Sequence, residues 1–254
     1  MAYRNSKQFS LLQLLTVFLC VLTLSGCVTS VHKGQHEQLE SSLQSKNTHQ
    51  LLVTSADVQI FELGVSDSEE VPEWTETGTR LVNAAVNKEF GAFDRFHMID
   101  KPALTDEEEN LLEQYTQLYY PVVDSEIIRS RFPAWKHDEL KTKTTLGPGL
   151  AFLKNKYKVD YAVFVSGQDY ISTGGRKAAM IAAALFGVGI PMGFSYLTVG
   201  IVETETGNVV WNNFVFSQEV GFLEEEQVSQ AVTKALETLP AESVGKTVVQ
   251  LAEK

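Results

Sequence analysis

The sequence predicts one α/β domain over residues 51–254, a mixed β-sheet with helices packed on its faces. Three observations predict it. Tyr161-Ala162-Val163-Phe164-Val165 is apolar at every position, as a strand is when both faces of its sheet are covered. Leu81, Val82, Ala85, Val86 and Phe90 recur at helical spacing, and so do Val228, Ala231, Val232, Ala235, Leu236 and Leu239. Residues 194–202 and 209–216 read as a hairpin around Thr204-Glu205-Thr206-Gly207-Asn208, with Gly207 where a left-handed residue is needed. Strands interleaved with amphipathic helices imply layers around a shared core. Of the 254 residues 44% are hydrophobic and 10% aromatic, which excludes wholesale disorder. The formal charge of −11, from 21 basic and 32 acidic residues, argues against a nucleic-acid partner held by phosphate neutralisation.

The chain opens with an address. Arg4 and Lys7 form a basic start, and Leu11 to Leu24 is a run of 14 residues without charge. That run is shorter than the roughly 18 apolar residues of a spanning helix and suits a secretory signal. It ends in Leu24-Ser25-Gly26-Cys27, which resembles the lipobox of bacterial lipoproteins at all four positions. The resemblance implies a diacylglycerol on the Cys27 sulfur, cleavage of the signal peptide 1–26, and acylation of the new amino terminus. Val28 stands where enteric lipoproteins retained in the inner membrane carry aspartate, so the outer membrane is the expected destination. Removal of residues 1–26, which carry two positive charges and no negative ones, leaves 228 residues at a formal −13. Cys20 departs and Cys27 is blocked, so thiol catalysis, a disulfide and thiolate metal ligation are excluded on this reading.

Residues 27–50 are rich in Ser, Gln and His and read as a flexible tether. His32 and His36 are four apart, but nothing else there resembles a metal ligand set, so no metal or other cofactor is expected. Leu51-Leu52-Val53 begins the sheet, and Val58 to Leu63 alternates as a second strand. Gly64 to Pro72 is an acidic loop. A helix follows from about Thr75 to Phe90, and a short strand from Phe93 to Ile99. Thr105 and Glu108 make a capping box for a helix striped by Leu111, Leu112, Tyr115, Leu118, Tyr119 and Val122, which Pro121 kinks or divides. Residues 135–145 are polar and carry no assignment. Gly147-Pro148-Gly149 opens a short helix through Tyr157, and a strand from Val159 to Val165 follows. After the hairpin, the helix from Leu223 to Leu239 stops at Pro240, and a final helix carries Val244, Val248 and Leu251.

Residues 170–197 are the most informative stretch of the mature chain. Ala178 to Leu197 is 20 residues without charge, but Gly187, Gly189, Pro191 and Gly193 break its second half. The pattern predicts a helix from Arg176 to about Phe186 and then a Gly-Pro loop. Ala179, Ala183 and Gly187 lie four apart, a spacing that lets another backbone approach closely. Ile181 and Leu185 lie opposite. A helix apolar all round is normally buried, so packing on the protein's own sheet is the leading expectation, with a subunit interface and lipid contact as alternatives. Gly174, Gly175, Arg176 and Lys177 offer amides and two cations at a helix start, a candidate anion site. The phosphate-loop order is absent, and Gly187, Gly189 and Gly193 miss the dinucleotide spacing.

Other chemistry finds little support. His97 and Asp100 lie at the end of a predicted strand, where sites in α/β folds often form. His137-Asp138-Glu139 is a polar run without a metal motif. Asp160 and Asp169 flank the central strand and read as its ends. No Gly-x-Ser-x-Gly elbow occurs. No catalytic residue is assigned.

Asp160 to Val165, Gly174 to Ala184, Glu205 to Trp211 and Trp74-Thr75-Glu76 together resemble a group of uncharacterised bacterial outer-membrane lipoproteins. The strand, Thr-Gly turn and strand ending in Trp211 is also distantly similar to the periplasmic domain of the curli secretion channel lipoprotein and to the TolB amino-terminal domain. The chain lacks two clear alternating hairpins for a membrane barrel. The resemblance implies a non-enzymatic binding or assembly role. The expected partners are the membrane, through Cys27, and proteins or further copies of the chain. The alternatives are an envelope transport or secretion subunit inserting residues 178–197 into the membrane, and a small-molecule-binding or hydrolytic domain.

Overall fold

The computed structural model describes residues 29–35, 39–44, 46–131, 144–187, 193–218 and 220–240. Cys20, Cys27, the run 137–139, most of the unassigned stretch 135–145 and the expected final helix lie outside the described residues.

A 12-residue strand organises the sheet. β6 (Tyr161–Ser172) pairs antiparallel with β7 (Gly193–Glu203) along nearly its whole length. On its other side two shorter parallel strands follow one another: β2 (His49–Val53) lies along its first residues and β3 (Asp57–Leu63) along its last. β5 (Phe96–Ile99) extends the sheet beyond β2, and β4 (Ser68–Glu70) pairs with β3. β8 (Val209–Ser217) pairs with β7, and β1 (Thr29–Gln35) closes that edge. Among the described residues eight strands, parallel and antiparallel, form one sheet, and helices pack on its two faces. The protein is α/β, as its sequence predicts.

The first face carries α1 (Leu39–Gln44), α2 (Pro72–Phe90) and α6 (Glu225–Leu236). Val82, Val86 and Phe90 of α2 and Val228, Ala231, Val232, Ala235 and Leu236 of α6 meet Val163, Val165, Val199 and Ile201 there. The stripes legible in the sequence are therefore the stripes that pack. The second face carries α3 (Asp106–Arg131) and α4 (Ala151–Tyr157), the latter entered through a 3₁₀ turn at Pro148–Leu150. Leu112, Tyr119, Val123, Leu150 and Leu153 cover Leu52, Ala162 and Phe164. The capping box forms as expected: Glu108 N–H donates to Thr105 Oγ1 at 3.3 Å, and Thr105 N–H donates to Glu108 Oε2 at 2.9 Å. Of the two outcomes expected at Pro121, division does not occur: α3 runs through it, with Pro121 on its exposed side. Gly207 has φ +74, and a Cβ there would stand 1.9 Å from the Gly147 carbonyl oxygen, so the hairpin turn needs glycine.

The tether requires correction. Much of 27–50 is built into the domain. β1 pairs with β8 from Thr29↔Phe216 to Gln35↔Trp211, and Leu39 and Leu43 of α1 are buried in the first-face core. An edge strand is held by backbone hydrogen bonds and needs no apolar alternation. Leu39 and Leu43, four apart, bury one side of a single short helical turn. Neither signal stands out in a Ser- and Gln-rich sequence.

The helix expected over 176–186 forms as α5 (Gly174–Ala184), but it is not a core helix. Met180 is its buried residue. Ile181 is 57% exposed, and Leu185 and Phe186, in the turn that follows, are 82% and 87% exposed. An all-round apolar sequence normally signals burial. Here the helix leaves the end of β6 and its neighbours do not enclose it.

Candidate functional site

The sheet's second face divides in two. Near the start of β6 it is covered by α3 and α4. Toward the end of β6 it carries a row of half-buried aromatic rings. The sheet alternation sends Tyr170 of β6 to this face, and registers set Phe61 and Phe194 opposite it. Phe61 stacks on Tyr170 with centroids 4.9 Å apart, Tyr170 on Phe194 at 4.6 Å, and Phe194 on Phe216 at 6.1 Å. Interplanar angles of 13°, 23° and 24° make this a ladder across four strands. A second row holds Tyr196 between Phe214 at 5.6 Å and Tyr120 of α3 at 5.9 Å. Gln168 ties the rows together. Its Oε1 accepts from the Tyr170 hydroxyl at 2.8 Å and from the Tyr196 hydroxyl, and its Nε2 donates to Gln59 Oε1 at 2.9 Å. Burial raises the pKa of the Tyr120 and Tyr196 hydroxyls, so both stay neutral donors.

The stacking decides what this surface can do. Rings that pack face against face across strands turn their edges, not their faces, outward. A sugar or a base that stacks on an open ring face finds little here, whereas an apolar protein surface laid over the row would bury ring edges along four strands. Phe194 with Tyr196, and Phe214 with Phe216, alternate at period two in the sequence. That was the available signal, but their join to Phe61 and Tyr170 depends on strand register.

A cleft of about 330 Å³ opens where β2 ends and β3 begins, lined by Thr54, Asp57, Lys101, Glu109, Glu113 and Gln117 among others. It lies at the carboxyl end of a parallel strand, the usual place for a ligand in an α/β sheet. Burial, and then the charge of Glu70, raise the Asp57 pKa. His97 and Asp100, the strand-end candidates, are exposed and do not line it.

The other sequence candidates separate. Asp160 does precede the central strand, but Asp169 lies inside β6, which runs on to Ser172, so it does not end the strand. Asp160 Oδ1 accepts from Lys46 Nζ at 2.7 Å and from Lys154 Nζ, and its Oδ2 accepts from Gln50 N–H at 3.0 Å. Burial works to raise its pKa, but these donors outweigh it and hold the carboxyl down at about 2. Asp169 accepts from Phe222 N–H at 2.9 Å, and burial pushes it up to about 6 in spite of that bond. At the candidate anion site, Gly174 and Gly175 face open space, but Thr173 Oγ1 already caps Arg176 N–H at 3.1 Å. The Arg176 guanidinium donates to the Gly64 carbonyl at 3.0 Å, and Lys177 is exposed. Ala179 and Gly187 are exposed and Ala183 is half-buried, so this side of α5 does not pack into the protein's own core. Among the described residues no helix is long and apolar enough to cross a membrane, and no three His, Cys, Asp or Glu side chains group as metal ligands.

No family model matches the chain, and no curated protein matches it. Among solved structures, a PelC dodecamer from Paraburkholderia phytofirmans aligns at TM-score 0.33 and 10% identity, covering 84% of this chain and 95% of that one. A point variant of the same dodecamer aligns at TM-score 0.33 and 10% identity, covering 85% of this chain and 99% of that one. Likeness at this level carries neither a family nor a function to the present chain.

Proposed function

We propose that the chain is a lipid-anchored protein of the cell envelope with a non-enzymatic binding or assembly role, held on the outer membrane with its domain in the periplasm. The lipobox ending at Cys27 supports the anchoring. The aromatic ladder Phe61–Tyr170–Phe194–Phe216 is the observation that carries the binding role. A half-buried row of stacked rings suits a protein partner, either another envelope protein or a second copy of this chain. A photoreactive phenylalanine analogue in place of Phe194 tests it in intact cells. The expected result is a discrete product of higher mass that is absent when the probe replaces Lys88 on α2. Recovery of monomer from both positions would contradict the reading.

The cleft beside Asp57 favours a second reading, a small-molecule-binding domain. A saturating ligand, at 100 times its dissociation constant, stabilises by ~2.7 kcal/mol. A thermal-shift screen repeated on Asp57→Ala checks this. A stabiliser that works on the wild type and fails on the variant would support the cleft, and one that stabilises both equally would not.

A further inference from the structure

The strand registers bring two apolar features to one end of the sheet. Thr29, the first residue of β1, is opposite Phe216, and Phe216 is opposite Tyr196, three residues after β7 begins. β7 begins beside the end of β6, with Gly193 opposite Ile171. α5 starts two residues after β6 finishes. Cys27 precedes Thr29 by two residues, and two residues of extended chain reach at most about 7 Å. The acyl chains expected on Cys27 and the root of α5 therefore belong to the same end of the domain.

At that end α5 exposes an apolar stripe. Ala178, Ile181, Ala182 and Leu185 follow i, i+3, i+4, i+7 spacing, and all four are exposed. Phe186 extends the stripe as the most exposed large apolar residue described. Resting on the anchoring reading above, we propose that this stripe lies in the acyl region of the membrane leaflet that receives the Cys27 lipid. The length of α5 fits contact with one leaflet. Its 11 residues rise about 16 Å, roughly half the hydrocarbon thickness. The anchor makes insertion an intramolecular event, so a helix too short to bind alone is held at high local lipid concentration. Charge gives little net help, with Lys177 the exposed basic residue in the first turn of α5. The mature chain is acidic, and Asp67, Glu69 and Glu70 of the β3–β4 hairpin lie near the α5 root, where Arg176 bonds Gly64. Contact is therefore apolar and insensitive to salt, unlike polybasic attachment.

The mature lipidated protein has no free thiol, so Leu185→Cys adds a single labelling site. The lipidated variant, labelled with an environment-sensitive fluorophore, is reconstituted in phosphatidylethanolamine–phosphatidylglycerol vesicles carrying doxyl-labelled acyl chains. Lys88→Cys serves as the control. The expected result is about a twofold drop in emission at position 185, unchanged by high salt, with no drop at 88. Protein that floats with the vesicles but shows equal emission at both positions would overturn insertion and leave the anchor standing. Cross-linking of position 185 to a second copy, without quenching, would overturn it in favour of a protein interface. Failure of Cys27 to acquire lipid would remove the anchoring reading and this inference together.

Discussion

Asp160, just before β6, and Asp169, within it, give opposite pH signatures. The folded-state pKa of Asp169 is about 6 against an ordinary 3.8. Between these values the folded protein binds more protons than the unfolded chain, so this group's contribution to stability falls as pH rises from 3.8 to 6. The change is on the order of 2–3 kcal/mol, at about 1.4 kcal/mol per pKa unit. Asp169→Asn should flatten the stability profile between pH 4 and 7 in urea titrations; an unchanged slope would contradict the burial argument. Asp160 runs the other way. Its folded pKa of about 2 lies below the ordinary value, so its contribution is present above pH 3.8 and is lost as pH falls toward 2. Asp160→Asn should remove that acid-side loss and lower stability at neutral pH. Tyr119 offers a third check. Its hydroxyl is fully buried without a partner, and a Cβ on Gly200 would stand 2.2 Å from it. Tyr119→Phe should be neutral or stabilising by up to ~2 kcal/mol, because it removes a polar atom that gains nothing from burial. Gly200→Ala should destabilise, since the ring stacked on Phe164 has no room to retreat. Chemical denaturation of the two variants measures both.

At the scale of elements, legibility followed the strength of local periodicity. α2, α6 and the β7–β8 hairpin carry long apolar patterns and turn chemistry, and they appear where those patterns place them. β1 and α1 do not carry such patterns. β1 is fastened through its backbone, and α1 rests on Leu39 and Leu43 alone. Leu39→Ala and Leu43→Ala should each cost ~2–5 kcal/mol, as buried leucines do. A solvated tether would show no change, so equilibrium unfolding of these variants separates the two descriptions. α5 failed in the other direction. Its sequence announces burial, but exposure is decided by what surrounds a helix, and the pattern of one segment does not contain that. The aromatic ladder was hidden for a similar reason. Phe61 and Tyr170 are more than a hundred residues apart, and only the parallel register of β3 on β6 sets them side by side.

For the whole molecule, the sheet places three features at one end: the first residue of β1, the aromatic ladder and the root of α5. Cys27, the lipid attachment site of the proposed anchor, lies two residues upstream of β1 in sequence, so on that proposal there is almost no slack between anchor and domain. Such a domain would sit against the membrane and present the ladder close to its surface, a geometry that favours lateral contact between proteins in one leaflet. The proposed anchor at Cys27 would set compartment, orientation and proximity together. Radiolabelled palmitate in growing cells, followed by membrane fractionation, tests it most directly. Label is expected on the wild-type protein in the outer-membrane fraction, and neither label nor membrane retention at that level for Cys27→Ser. Wild-type protein that carries no label, or a Cys27→Ser variant labelled to the same extent, would contradict it.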